Sequence, residues 1–255
     1  MTWLRDWSLS DDVALRLLCL HPAGSAAHVY RRWPRLLPPD IGVVAAELPG
    51  HGSRLAEPPL ETMDEILKQL CAEAGPLTDR PLVLFGHSMG GTLAAELARY
   101  LRRELGVTPR LLIVAACEAP RREPRRDYAR WLTEDGVLAY LHEMGGTPPE
   151  LLAHKEFLEM TLPVLRADLT VLAGPRPVDD RPVDCPVRLY LGERDTTVRE
   201  DRALAWREES DGDFTVRRFD GGHFFVQEQV ADVVARVRAD VEHLRMSTGN
   251  TGRPS

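Results

Sequence analysis

The pentapeptide Gly86-His87-Ser88-Met89-Gly90 follows directly on the apolar run Leu82 to Phe85 and opens a helical stretch, Gly91 to Leu105. A G-x-S-x-G pattern between a strand and a helix is the arrangement of a nucleophile elbow. A serine hydroxyl is a poor nucleophile at neutral pH. It needs a base in reach, donors for the oxyanion and a sharp turn that lifts Oγ clear of the backbone. Glycines on both sides of Ser88 suit that turn, because they tolerate strained dihedrals and let the helix approach neighbouring strands. The competing account is that Ser88 merely caps the helix with its hydroxyl.

Hydrolases of this architecture place the nucleophile first, then the acid, then the histidine. Downstream, Val187 to Leu191 is predicted as a buried strand ending in Gly192-Glu193-Arg194-Asp195, and Thr215 to Phe219 as a strand followed by Asp220-Gly221-Gly222-His223. Asp195 and His223 therefore fall just past strand ends, where open parallel sheets gather their ligands and catalytic groups. Of the eight histidines, His21, His28 and His51 precede the elbow and His87 flanks it; His142 and His154 lie in a polar helical segment, and His243 is near the chain's end. Only His223 follows the acid at a strand end. Glu193, Asp213 and Asp220 compete with Asp195, and any one carboxylate is equally at home as a solvated loop residue. Asp195 is preferred because a few residues of loop allow it to bend back toward the histidine, fixing the tautomer and stabilising the imidazolium.

An oxyanion hole needs two N–H groups aimed at one point. Met89, the residue after the nucleophile, supplies one in this architecture. Leu15 to Leu20 is predicted as an early strand running into the small-residue loop His21-Pro22-Ala23-Gly24-Ser25-Ala26-Ala27, which leads to a helix. Ala23 is the candidate for the second donor, although a plain strand-to-helix connection would use the same small residues.

Several segments together resemble the type II thioesterases of polyketide and nonribosomal peptide assembly lines. They are Cys19 to Ala26, Tyr30 to Trp33, Glu47 to Arg54, the Ser88 elbow, Gly192 to Val198, and Gly221 to Phe225, over a match from about Leu15 to Leu244. Leu141 to Glu150 and Leu162 to Asp168 resemble the lid region of that family, which generic hydrolases do not share. The resemblance implies a catalytic triad of Ser88, Asp195 and His223, with Met89 and Ala23 as oxyanion donors. It also implies a partner, an acyl or peptidyl carrier protein bearing acyl-phosphopantetheine. The chain departs from the family pattern at His21 to Ser25, at His51 where arginine is common, and at Ala173-Gly174-Pro175-Arg176-Pro177, a stretch that is often aromatic.

The elements that must position these residues alternate between strand and helix, the signal for a mostly parallel central sheet with helices on both faces. The expected fold class is α/β, an α/β-hydrolase. Further strands are predicted at Gly42 to Glu47 and Leu111 to Ala116. Between Cys117 and Val187 the alternation stops for about seventy residues, far longer than an ordinary loop, so a helical lid is expected at about 120–182. Its apolar residues, Leu141, Met144 and Phe157 among them, would mostly pack together while a subset lines an acyl chamber. Val226, Val230, Val233, Val237, Val241 and Leu244 give the last helix one apolar face. A single domain over 1–246 and a disordered polar tail at 247–255 complete the expected organisation.

With 255 residues, 44% apolar content and a net charge of −7, the chain suits one α/β core and lacks a nucleic-acid footprint. Lys68 and Lys155 are the only lysines among 32 basic residues, a bias of GC-rich coding more than of mechanism. Cys19, Cys71, Cys117 and Cys185 show no paired spacing, as expected of free buried thiols in a reducing compartment. Charges break the N-terminal segment where a signal peptide needs an apolar core, and no run approaches 18 apolar residues, so a cytoplasmic monomer that touches no membrane is expected. No H-E-x-x-H or equivalent spacing appears, and no metal or cofactor is expected. Arg121, Arg122, Arg125, Arg126 and Arg130 could steer an acidic carrier, but the interspersed Glu123 and Asp127 favour a solvated loop. The expected function is serine hydrolysis of carrier-bound acyl thioesters in an editing role. The alternatives are a general carboxylesterase and a non-catalytic carrier-binding scaffold.

Overall fold

The computed structural model describes residues 2–120, 126–176, 179 and 181–249. In chain order these residues form β1 (Leu4–Asp6), β2 (Leu15–Leu20), β3 (Ile41–Ala46), α1 (Met63–Ala74), β4 (Leu82–His87), α2 (Met89–Leu105), β5 (Leu111–Ala115), α3 (Glu134–Met144), α4 (Pro149–Leu152), α5 (Lys155–Ala173), β6 (Val187–Gly192), α6 (Glu200–Ala203), β7 (Phe214–Phe219), α7 (Phe225–Glu228) and α8 (Val230–Gly249). The seven strands make one sheet in the order β1-β3-β2-β4-β5-β6-β7. Every pairing is parallel except that of β1 with β3.

The sheet is covered on both sides, which is why its inner strands are apolar at nearly every position. Side-chain alternation splits them between two cores. Leu18, Leu20, Leu84, Leu112, Val114 and Leu189 pack on one face with α1, α2 and the segment between β5 and β6. Leu17, Cys19, Val83, Phe85, Ile113 and Tyr190 pack on the other with Tyr30, Trp33 and the α8 valines Val233, Val234, Val237 and Val241. Each fully buried side chain of this kind is worth about 1.5–3 kcal/mol against exposure. Local signals set the helix ends. Thr62 caps α1 by accepting the Glu65 N–H, Thr133 caps α3, and Gly106 ends α2 in the left-handed region.

Four details differ from the sequence expectation. The strand β1 has only three residues, Leu-Arg-Asp, too few to carry a periodic signal. The loop after β2 leads into two short 3₁₀ turns, Ala27–Tyr30 and Trp33–Arg35, with Pro34 in the second, in place of an α-helix. The closing helical stretch is interrupted at Gln229, between α7 and α8. Finally, α8 runs through Gly249, three residues beyond the expected boundary at Met246; the remaining tail, 250–255, lies outside the described residues.

The strand order reverses between β2 and β4, because the chain first steps outward from β2 to β3 and then returns to β2's other side. Open α/β sheets bind ligands in the crevice outside the carboxyl ends of strands at such a switch point. The ends of β2 and β4 are where His21 to Ser25 and Ser88 lie. Helices α3, α4 and α5 are inserted between β5 and β6 and close over this end.

Candidate active site

Ser88 occupies the one residue between β4 and α2, with φ 53° and ψ −118°. A non-glycine residue held there stores strain on the order of 1–3 kcal/mol, and such outliers cluster at reactive positions. Its flanking glycines are dictated by space. A Cβ on Gly86 would press on the backbone of Gly90 and Gly91, and one on Gly90 would meet the carbonyls of Leu20 and His21. The elbow therefore closes on itself and abuts the end of β2. The Ser88 N–H donates to the Ala115 carbonyl of β5 at 2.8 Å, which fixes the turn against the next strand. Ser88 stands at the N-cap position of α2, but its side chain makes no capping bond.

Instead, Ser88 Oγ lies 3.0 Å from His223 Nε2, and His223 Nδ1 lies 2.8 Å from Asp195 Oδ2. The carboxylate accepts from Nδ1–H, leaving Nε2 free to accept the Ser88 hydroxyl proton. The side chains of His223 and Asp195 are both 3% exposed. Burial alone would raise the Asp195 pKa, but bonds from His223 and Thr197 outweigh it and hold the carboxyl down at about 2. The Asp195 carboxyl therefore stays ionised at neutral pH. Among the competing carboxylates, Asp213 pairs with Arg188 at 3.0 Å, Asp220 pairs with Arg194, and Glu193 is exposed.

Three neighbours of this chain were not anticipated from the sequence. Thr197 Oγ1 donates to Asp195 Oδ1 at 2.6 Å and lies 2.9 Å from His223 Nδ1, while its N–H also reaches Asp195 Oδ1 at 2.9 Å. The Asp-x-Thr spacing is the local signal that could have revealed it, since Asp side chains commonly bond the backbone two residues on. His87 donates from Nε2 to the His223 carbonyl at 2.8 Å and accepts at Nδ1 from the Gln227 amide at 3.2 Å. Burial, reinforced by the nearby His223, pushes the His87 pKa down to about 3, so it is a neutral brace for the backbone of His223. Arg126 donates to the Thr197 carbonyl at 3.0 Å and stacks over Trp131. Arg126 and Arg130 both reach Glu143, so neither cation is idle; Arg121, Arg122 and Arg125 lie outside the described residues.

Met89 opens α2, where the first N–H groups have no acceptor within the helix. Ala23 lies in a turn closed by the Ser25 N–H to the Pro22 carbonyl at 3.2 Å, with Gly24 at φ +68°. A pocket of about 400 Å³ joins the Ala23 loop, Ser88 and His223 to Tyr140, Leu141, Met144 and Phe157 of the inserted helices. That is the small end of the range for sites that bury a compact ligand. Among the described residues, no cluster of three or more His, Cys, Asp or Glu side chains could hold a metal, and no helix is long and apolar enough to cross a membrane. The four cysteines are buried and unbridged.

The family model for the thioesterase domain matches residues 15–241. The gramicidin S biosynthesis protein GrsT of Aneurinibacillus migulanus is 32% identical over 91% of this chain and 91% of its own. The thioesterase PikA5 of Streptomyces venezuelae is 31% identical over 97% of this chain and 87% of its own. Among solved structures, the type II thioesterase BorB from the borrelidin biosynthetic cluster is 34% identical, covers 95% of this chain and 97% of its own, and superposes with a TM-score of 0.82.

Proposed function

The chain belongs to the thioesterase domain family, and from that membership we propose that it hydrolyses acyl thioesters through Ser88, His223 and Asp195. It is a hydrolase that acts on thioester bonds. Its substrate is an acyl group on the phosphopantetheine arm of an acyl or peptidyl carrier protein. Its duty is editing in polyketide or nonribosomal peptide assembly, a reading supported by the likeness to the type II thioesterase YbtT and to ClbQ, both from NRPS/PKS pathways.

The observation that carries the mechanism is the unbroken hydrogen-bonded chain from Ser88 Oγ through His223 to Asp195, at the base of a pocket walled by the inserted helices. His223 takes the Ser88 proton as Oγ attacks the thioester carbonyl, and the Ala23 and Met89 N–H groups hold the developing oxyanion. The C–S bond then breaks and the pantetheine thiol leaves, taking the proton from His223. A water molecule, deprotonated by the same His223, attacks the acyl-serine and releases the acid, and Ser88 recovers its proton. Thiolates leave readily, so most of the enzyme's work is positioning and deacylation. One oxyanion donor typically contributes about a hundred- to a thousandfold in turnover.

The test is acyl release from a short-chain acyl carrier protein, run beside the matching small ester and repeated with Ser88→Ala. Fast release from the carrier that vanishes in Ser88→Ala is the expected result. Rapid ester cleavage with an untouched carrier would replace the proposal with a general carboxylesterase, and carrier binding without turnover would replace it with a scaffold.

A further inference from the structure

Asp168 is an anomaly in the inserted helices. It sits in α5, one turn beyond Leu165, and is only 1% exposed. An ionised carboxylate is costly to bury without partners. Both of its partners come from loops at strand ends, Gly24 after β2 and His51 after β3. Asp168 Oδ2 accepts the Gly24 N–H at 2.7 Å and lies 3.0 Å from His51 Nε2. Leu165 packs against Gly24 from the same helix, where an added Cβ would meet its side chain at 3.4 Å.

The protonation of His51 follows from its contacts. Nδ1 faces the Pro49 carbonyl at 2.9 Å, and Nε2 faces the Asp168 carboxylate. Both partners are acceptors, so both ring nitrogens must donate, which is the imidazolium. Burial opposes that charge, but attraction and hydrogen bonding to Asp168 outweigh it and raise the His51 pKa above its ordinary value. The other titratable groups around it are His21, whose ring is 4.8 Å away, and Glu47 and Arg54 from its own segment. Burial and the charge of His51 push the His21 pKa down to about 4, so His21 is neutral. Glu47 is engaged by Arg5 and Ser53 and Arg54 by Glu57. Asp168 is thus the countercharge of His51.

The Gly24 N–H belongs to the peptide that follows Ala23. Fixing that peptide, together with the Ser25-to-Pro22 turn bond, fixes the direction in which the preceding N–H, that of Ala23, points. We propose that Asp168 is a positioning residue: its carboxylate, reaching from α5 and balanced by His51, holds the Ala23–Gly24 peptide so that the Ala23 N–H stays aimed at the oxyanion. This rests on Ser88 being the nucleophile and Ala23 the second donor. It makes the inserted helices part of the catalytic geometry as well as the wall of the acyl chamber. The sign of the pH effect follows. His51 is charged below its raised pKa and loses its charge as pH rises through it, so the tether weakens on the alkaline side.

The experiment measures kcat and KM on acyl-loaded carrier protein for the wild type, Ser88→Ala, Asp168→Ala, Asp168→Asn and His51→Gln, between roughly pH 6 and 9. Asp168→Ala is expected to lower kcat about ten- to a hundredfold, the cost of a donor displaced on the ångström scale, with KM within about twofold. Asp168→Asn keeps an acceptor for the Gly24 N–H but no charge, and should retain more activity than Asp168→Ala. His51→Gln keeps a donor toward Asp168 that does not titrate, and should abolish the alkaline decline in kcat contributed by His51. An Asp168→Ala variant that changes KM and spares kcat would show Asp168 to be only an anchor for the insert, and would overturn the proposal. If Asp168→Ala does not fold, the pH profile of His51→Gln decides, and one superimposable on the wild type is equally fatal. Activity that survives in Ser88→Ala would instead remove the serine mechanism itself.

Discussion

Gly90→Ala tests how closely the elbow and the loop after β2 are fitted to each other. An added Cβ would stand 2.5 Å from the Leu20 carbonyl carbon and 2.8 Å from the His21 carbonyl oxygen, and both are backbone atoms with no flexible end to swing away. Restoring the 3.4 Å of ordinary contact to that carbon requires a displacement of about 0.9 Å between α2 and the end of β2. The two proposed donors sit on opposite sides of this contact, Met89 beside Gly90 and Ala23 two residues past His21. A relative shift of about 1 Å in reacting geometry typically costs on the order of a hundredfold. Overpacking of this kind also costs about 1–3 kcal/mol of stability, and each kcal/mol lowers Tm by about 2–4 °C in a chain of this size. Gly222→Ala is the matched control. It lies next to His223, yet its added Cβ meets nothing within 4 Å. Steady-state turnover of an acyl carrier substrate and a thermal melt should separate the two variants, with Gly90→Ala losing about two orders of magnitude in kcat and several degrees in Tm. A Gly90→Ala enzyme with both values within error of Gly222→Ala would refute the claim that this contact sets the donor geometry.

Asp195→Asn should lower kcat by about 10⁴ by stabilising the wrong tautomer of His223, as judged by single-turnover acyl release. Because the folded-state pKa of Asp195 is depressed to about 2, its contribution to stability is present above the ordinary carboxyl value of 3.8 and is lost as pH falls through about 2; the stability difference between wild type and Asp195→Asn should shrink over that acid window in urea titrations. Thr197→Val removes a hydroxyl donor from a buried carboxylate and should reduce kcat by about tenfold or more with KM unchanged. Met144→Trp narrows a pocket of about 400 Å³, so kcat/KM should fall more steeply for longer acyl groups than for acetyl across a carrier-bound chain-length series.

The strands and the elbow were legible because they are written locally. Buried parallel strands are unbroken apolar runs, and the strands predicted from Leu15, Leu82 and Val187 begin at those residues. The three polar members of the proposed triad could be placed because each follows such a run. What escaped the sequence depends on contacts that no local window contains. His51 and Asp168 are 117 residues apart, and only the packing of α5 against the loop after β3 brings them together. His87 was legible only as a neighbour of Ser88 in the elbow, although its ring braces His223 across a separation of 136 residues. Thr197 is the exception, because its spacing from Asp195 carried a turn signal. The arginine-rich run shows the opposite difficulty: its composition left open a carrier-steering patch beside the preferred solvated loop, whereas Arg126 and Arg130 are engaged by Glu143 and by aromatic rings.

The inserted helices leave the sheet after β5 and return at β6, so by connectivity they resemble an interchangeable cassette that could be swapped to change acyl preference. Two of their polar contacts argue for a stricter rule of exchange. Asp168 reaches the loop that carries Ala23, and Arg126 reaches the carbonyl of Thr197, which in turn touches Asp195 and His223. A graft that reproduces the chamber but lacks a carboxylate at the first position or a guanidinium at the second would receive substrate into a site whose loops had lost their outer supports. Chimeras built on this scaffold should carry both residues with the cassette, and libraries that vary the chamber walls should leave these two positions unvaried.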